Sequence, residues 1–145
     1  VPLDPELAWL TDFDAAVAWF EEHADLKHYM FTKRAMAQYV ARECVRLLKL
    51  GIRINSVLPG PTNTPLAQAN KELWLEFGHD FRAEVGVEPS TPEQQAHPLV
   101  FLGSDAASYV NGITLIADAG WYGAGLSGGF PAATDAVHFL AGRYG

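Results

Sequence analysis

Tyr29 and Lys33 stand four residues apart in a stretch with no Pro or Gly, so on a helix they share one face, about one turn from each other. An ammonium beside a phenol favours the phenolate, which suits the pair to giving or taking the proton of an alcohol or a carbonyl. Tyr-x-x-x-Lys alone is a weak motif, and a surface lysine beside a core tyrosine would look the same. The residues carboxyl-terminal to Lys33 narrow the choice. The apolar residues Met36, Val40, Leu47 and Leu48 predict one long helix from about Leu26 to Leu50, stopped by Gly51. Next come Ile52-Arg-Ile-Asn-Ser-Val-Leu58, read as a largely buried strand, and the breakers Pro59-Gly60. Helix, glycine and strand make an α/β unit, and the turn after a parallel strand is where open α/β sheets bind ligands.

Other elements are legible from local signals. Leu10, Phe13, Val17 and Phe20 recur at helical spacing and predict two short helical pieces before residue 23. Pro61, Asn63 and Pro65 open a loop; Leu66 to Glu84, with Trp74, Phe77 and Phe81, is expected as interrupted helix forming a mobile flap. Thr91-Pro-Glu-Gln94 has the pattern of a capping box, with a helix to about Leu102. Residues 112–117 predict a second strand ending at Asp118-Ala119-Gly120. The five glycines from Gly120 to Gly129 are expected to form an extended tail, and residues 132–140 a last helix. Two strands separated by helices cannot make a stable parallel sheet alone, so the remaining strands are expected from elsewhere.

Composition excludes several classes of function. The 145 residues are 49% hydrophobic and 19% charged, with a formal net charge of -7. This suits one globular unit, and scattered basic residues argue against nucleic-acid binding. No apolar run reaches the roughly 18 residues of a membrane span, and the expectation is a cytoplasmic protein with no membrane partner. The first residue is Val1 rather than Met, so the chain is expected to be either processed or cut from something longer. Cys44 is the one cysteine, read as a buried structural thiol. The histidines His23, His28, His79, His97 and His138 show no metal-ligand spacing, so no metal is expected.

Tyr29-Met-Phe-Thr-Lys33, the segment Gly51 to Gly60, and Ala107-Ser-Tyr-Val-Asn-Gly112 leading into the last strand together resemble the short-chain dehydrogenase/reductase family, from about His28 to Gly120. The resemblance implies the carboxyl-terminal part of a Rossmann-like, doubly wound parallel sheet whose amino-terminal strands are missing. It also implies an NAD- or NADP-dependent oxidoreductase acting on a small-molecule secondary alcohol or ketone. Tyr29 would be the acid/base, and Lys33 would support it and bind the nicotinamide ribose. Pro59, Gly60, Thr62 and Thr64 would meet the cofactor, although a plain capping role for Thr64 is equally open. Trp74 and Phe77 would line an apolar substrate pocket. Asn55 would support neighbouring backbone.

The departures are as informative. The family's Ser precedes its Tyr, yet no Ser occurs before Ser56, and no Gly-rich phosphate turn precedes Tyr29. Residues 1–27 resemble the insertion of the subgroup that includes hydroxysteroid dehydrogenase/carbonyl reductase and coniferyl alcohol dehydrogenase. That would place the missing Ser and Gly-rich turn upstream of Val1 and leave the 145 residues inactive by themselves. Residues 1–27 then form an insertion, 28–120 the catalytic and last-strand region, and 121–145 a tail. The resemblance further implies a homodimer or homotetramer paired through the long helix. The alternative is a noncatalytic remnant that keeps this helix as an assembly surface. NAD and NADP stay undistinguished. Asp118-Ala119-Gly120 replaces the family's commoner Asp-Gly-Gly, which bears on local backbone geometry.

Overall fold

The computed structural model describes residues 12–22 and 29–141. In order these form α1 (Phe13–Glu22), α2 (Tyr29–Leu48), β1 (Ser56–Pro59), α3 (Pro65–Ala69), α4 (Lys71–Trp74), α5 (His79–Val85), α6 (Pro92–Gly103), β2 (Thr114–Ala117), α7 (Trp121–Ser127) and α8 (Thr134–Leu140). Single 3-10 turns at Asp105–Ala107 and Pro131–Ala133 precede β2 and α8. The first of the two helical pieces expected near the amino terminus lies outside the described residues, as do His23 and His28.

β1 and β2 pair in parallel, Ser56 opposite Thr114 and Pro59 opposite Ala117. The ladder is shorter than the strand expected over residues 52–58 because two asparagine side chains take over its first half. Asn55 Nδ2 donates to Val110 O at 3.0 Å and its Oδ1 accepts from Ile113 N at 3.2 Å. Asn111 Oδ1 accepts from Ile54 N at 2.9 Å while its Nδ2 donates to Cys44 O at 3.1 Å. Extended backbone here is thus satisfied by amides rather than by a neighbouring strand. Asn55 has the supporting role its position suggested. Cys44 is half-buried rather than buried, its Sγ directed at Ala41 O.

The Asn111 bridge also fixes how α2 lies on the sheet. It ties the last turns of α2 to the start of the extended segment, and the chain reverses at Gly51, where φ is 74°. The 20 residues of α2 rise about 30 Å, close to the roughly 26 Å that residues 52–59 cover when extended. The amino-terminal end of α2 is therefore level with the carboxyl end of β1.

α6 follows its sequence signals closely. Thr91 accepts from Gln94 N, Gln94 Oε1 accepts from Thr91 N, and Pro92 occupies the first turn. Backbone and Thr91 hydrogen bonds hold the Glu93 carboxyl below the usual carboxylate range. At the other end the Arg53 guanidinium donates to Leu102 O at 2.8 Å and Ser104 O at 3.2 Å, satisfying carbonyls the helix leaves open.

The expected loop between Gly120 and Gly129 is instead α7, packed on α8. Its glycines are the reason. A Cβ on Gly125 would sit 2.7 Å from Val137 Cγ2 and 3.0 Å from Ala133 Cβ, so glycine lets two short helices approach closely. Val137 is fully enclosed. The Asp118 carboxylate starts α7 by accepting from Gly120 N at 2.9 Å and Tyr122 N at 2.8 Å.

Ala119 has φ of 59°, the left-handed region, and is the one non-glycine residue with positive φ among those described. An alanine there is strained by about 1–2 kcal/mol, while a glycine loses about 0.5–1 kcal/mol more chain entropy on folding. Ala119→Gly is expected to raise the unfolding free energy by about 0.5–1 kcal/mol in urea titrations; a lower midpoint would count against strain at this position.

Candidate active site

The candidate site lies toward the carboxyl edge of the sheet, where the first turn of α2 meets Trp74 of α4. Lys33 Nζ lies over the Tyr29 ring, 4.9 Å from its centroid, a cation–π distance. Both residues are exposed, Tyr29 by 53%, so phenol and ammonium face open space. Trp74, at the end of α4, meets the Tyr29 ring edge-on, with centroids 5.5 Å apart and planes at 77°. Trp74, distant in sequence, therefore joins Tyr29 and Lys33 in one cluster.

Pro59 and Gly60 end β1 beside the end of β2, and Gly60 N donates to Ala117 O at 2.9 Å. The side-chain position that Gly60 leaves vacant is taken by this chain: a Cβ would lie 2.9 Å from Asp118 Cα. Glycine is required here to let the Asp118 turn cross the strand end. Thr62 uses its hydroxyl internally, bonding Gly60 O and Ser90 Oγ at 3.0 Å each, while its backbone N–H has no partner among the described residues. Thr64 caps α3 by accepting from Ala67 N at 3.1 Å. The capping reading of Thr64 is thus the one its geometry displays, and its O–H proton can still donate.

Phe77 is not in the Tyr29 cluster. Its ring packs on Trp121 at 4.7 Å. Phe81 similarly meets Phe130 at 5.3 Å, so Phe77 and Phe81 pack against the carboxyl-terminal segment. Trp121 is one of four tryptophans the sequence offers as core or pocket-wall residues, but its partner is not legible because glycine content marks residues 120–129 as a loop. Sequence reasoning missed Ser90 and Gln95. Gln95 Nε2 donates to Ser90 Oγ and Ala117 O, both at 2.9 Å, and Ser90 N donates to Pro61 O. These bonds fasten the loop after β1 to the end of β2. A glutamine one position beyond the capping box was the available signal.

A family model described as enoyl-(acyl carrier protein) reductase matches residues 11–122. The chain is 39% identical over 100 residues to the L-rhamnose 1-dehydrogenase (NAD(P)(+)) of Sphingomonas sp. (strain SKA58), covering 66% of this chain and 37% of that protein. It is 33% identical over 115 residues to the 2-dehydro-3-deoxy-D-gluconate 5-dehydrogenase of Pseudoalteromonas atlantica, covering 77% of this chain and 44% of that one. Its fold matches the crystal structure of the 3-alpha-hydroxysteroid dehydrogenase from Pseudomonas sp. B-0831 complexed with NADH with a TM-score of 0.62 and 30% identity, covering 79% of this chain and 46% of that one. The chain belongs to the short-chain dehydrogenase/reductase family. It spans less than half the length of these three relatives. No helix among the described residues is long and apolar enough to cross a membrane.

Proposed function

We propose that this chain is the carboxyl-terminal part of a longer cytoplasmic NAD- or NADP-dependent oxidoreductase that interconverts a secondary alcohol and a ketone. The observation that carries the reading is the placement of Lys33 Nζ over the exposed Tyr29 ring, at the carboxyl edge of a parallel sheet. In this reading Tyr29 Oη gives its proton to the carbonyl oxygen during reduction and takes the alcohol proton in the reverse direction. Lys33 places positive charge beside that oxygen and offers ammonium protons to a ribose diol.

The donor set suits a nicotinamide nucleotide. Lys33, the Thr62 backbone N–H and the Thr64 hydroxyl offer donors to its ribose, carboxamide and phosphate oxygens, and the Pro59-Gly60 turn forms the floor. Such a cofactor, when bound, supplies or accepts the hydride. Trp74 beside Tyr29 gives the substrate side an aromatic surface, which supports a steroid-like or aromatic ring system over an open-chain polyol.

Val45 and Leu48, neighbours one turn apart on α2, are exposed apolar residues, suited to pairing with a second copy in a homodimer or homotetramer. That surface is also what a noncatalytic remnant would retain. Turnover separates the two readings. The full-length protein, incubated with NADH or NADPH and a set of cyclic and aromatic ketones, is expected to oxidise the nucleotide only when a ketone is present. Nucleotide binding without turnover of any ketone or of the matching alcohols would favour the remnant, and absence of nucleotide binding would sink the cofactor assignment.

A further inference from the structure

Arg82, in α5, is 7% exposed, and its guanidinium turns back on its own segment. Nη1 donates to Phe77 O at 2.6 Å and Nη2 donates to Leu75 O. A guanidinium at this depth is usually paired with a carboxylate, yet among the described residues no Asp or Glu forms an ion pair with it. Both acceptors are carbonyls of the turn between α4 and α5. Because the guanidinium is a rigid planar fork, it fixes the two peptide planes relative to each other.

Those planes flank the aromatic residues of the site. Trp74, directly before Leu75, lies against Tyr29, and Phe77 lies against Trp121. Gly78 comes next with φ of 66°, and a Cβ there would come within 3.2 Å of the Trp121 indole, so the turn is held close to α7 on that side as well. One buried cation therefore anchors the stretch of backbone that carries both aromatic contacts.

We propose that Arg82 is a positioning residue: by clasping the carbonyls of Leu75 and Phe77 it holds Trp74 against Tyr29 and Phe77 against Trp121, setting the aromatic wall beside the phenol. Its consequence for catalysis rests on the reading of Tyr29 as the acid/base, whereas the placement of the rings does not. The test uses the full-length protein labelled with 5-fluorotryptophan, with signals assigned by single Trp→Phe changes, in wild type, R82M and R82K. R82M removes both donors at similar length. It is expected to shift the fluorine resonances of Trp74 and Trp121 together and leave Trp19 unmoved. R82K keeps charge but replaces the fork by one compact donor and is expected to give a smaller shift of the same two signals, which keeps the test decisive if R82M does not fold. Unmoved Trp74 and Trp121 signals in R82K and in folded R82M would overturn the proposal, as would an equal shift of Trp19, which marks general loss of packing. A failure of the Tyr29 assignment is read from the turnover of Tyr29→Phe, separately from these ring signals.

Discussion

Tyr29→Phe in the full-length protein is expected to lower kcat for ketone reduction by about 10²–10⁴-fold, the usual contribution of a positioned general acid, with nucleotide affinity changed by less than about 1 kcal/mol, the scale of one ordinary hydrogen bond. The expectation depends on how little else the substitution disturbs. The phenol is half exposed, so removing its oxygen leaves no buried donor or acceptor without a partner. Among the described residues its side chain is met through the ring: Lys33 above the face at 4.9 Å and Trp74 at 5.5 Å. Phenylalanine keeps both, though a ring without its hydroxyl holds a cation slightly differently. A fold defect would therefore be a poor explanation for lost activity, and circular dichroism with a urea midpoint checks that point directly. Steady-state rates within tenfold of wild type would remove Tyr29 from the acid/base role. Nucleotide binding should then be re-examined at Lys33 and Thr62, which the substitution leaves intact.

The parts of this molecule that are legible in the sequence are those whose physics is local. The capping box at Thr91 and Gln94 needs only four residues, and it forms as read. Tyr29 and Lys33 share a face because helical spacing alone puts them there. Asn55 stands out as a polar residue in an apolar run, and it supports backbone as the resemblance implied. What escapes depends on contacts between distant segments. Five glycines in ten residues carry a strong loop signal, and only the approach of Val137 and Ala133 to Gly125 turns that segment into a packed helix. Gly60 reads as leaving room for a ligand, but Asp118 occupies that room, from 58 positions downstream. Arg82 carries no motif at all. Its role emerges only when the turn it clasps is folded. The same distinction explains why β1 starts later than the apolar pattern suggests: the pattern records burial, while the ladder depends on which partner supplies the hydrogen bonds.

Gly112→Ala is expected to be the most damaging single change to the described fold. The position combines two constraints that coincide less tightly at Gly78, where a Cβ would lie 3.2 Å from the Trp121 indole. The φ of Gly112 is 74°, in the left-handed region, and a Cβ there would lie 2.7 Å from both Cβ and Sγ of Cys44. Gly51 and Gly86 share the positive φ but have open space, while Gly60 and Gly125 share the crowding without it. The backbone strain and the overpacking together amount to roughly 2–5 kcal/mol, against a total stability of about 5–15 kcal/mol for an ordinary domain. Relief by movement is also restricted. Gly112 N donates to Ile54 O at 2.8 Å, and the adjacent Asn111 joins Cys44 to Ile54, so displacing residue 112 pulls on α2 and on the entrance to both strands at once. Urea unfolding of the full-length protein is expected to show a clear drop in midpoint. Gly103→Ala is the control, since that residue has neither positive φ nor any atom within 4 Å of the added carbon, and it should be neutral or slightly stabilising. Adding Cys44→Ala to the Gly112 variant removes the sulfur contact but not the Cβ contact or the φ strain, so recovery should be partial. A Gly112→Ala midpoint equal to that of the control would show that α2 can withdraw from the strand entrance at no measurable expense, and the Asn111 bridge would then be too loose to fix where Tyr29 stands.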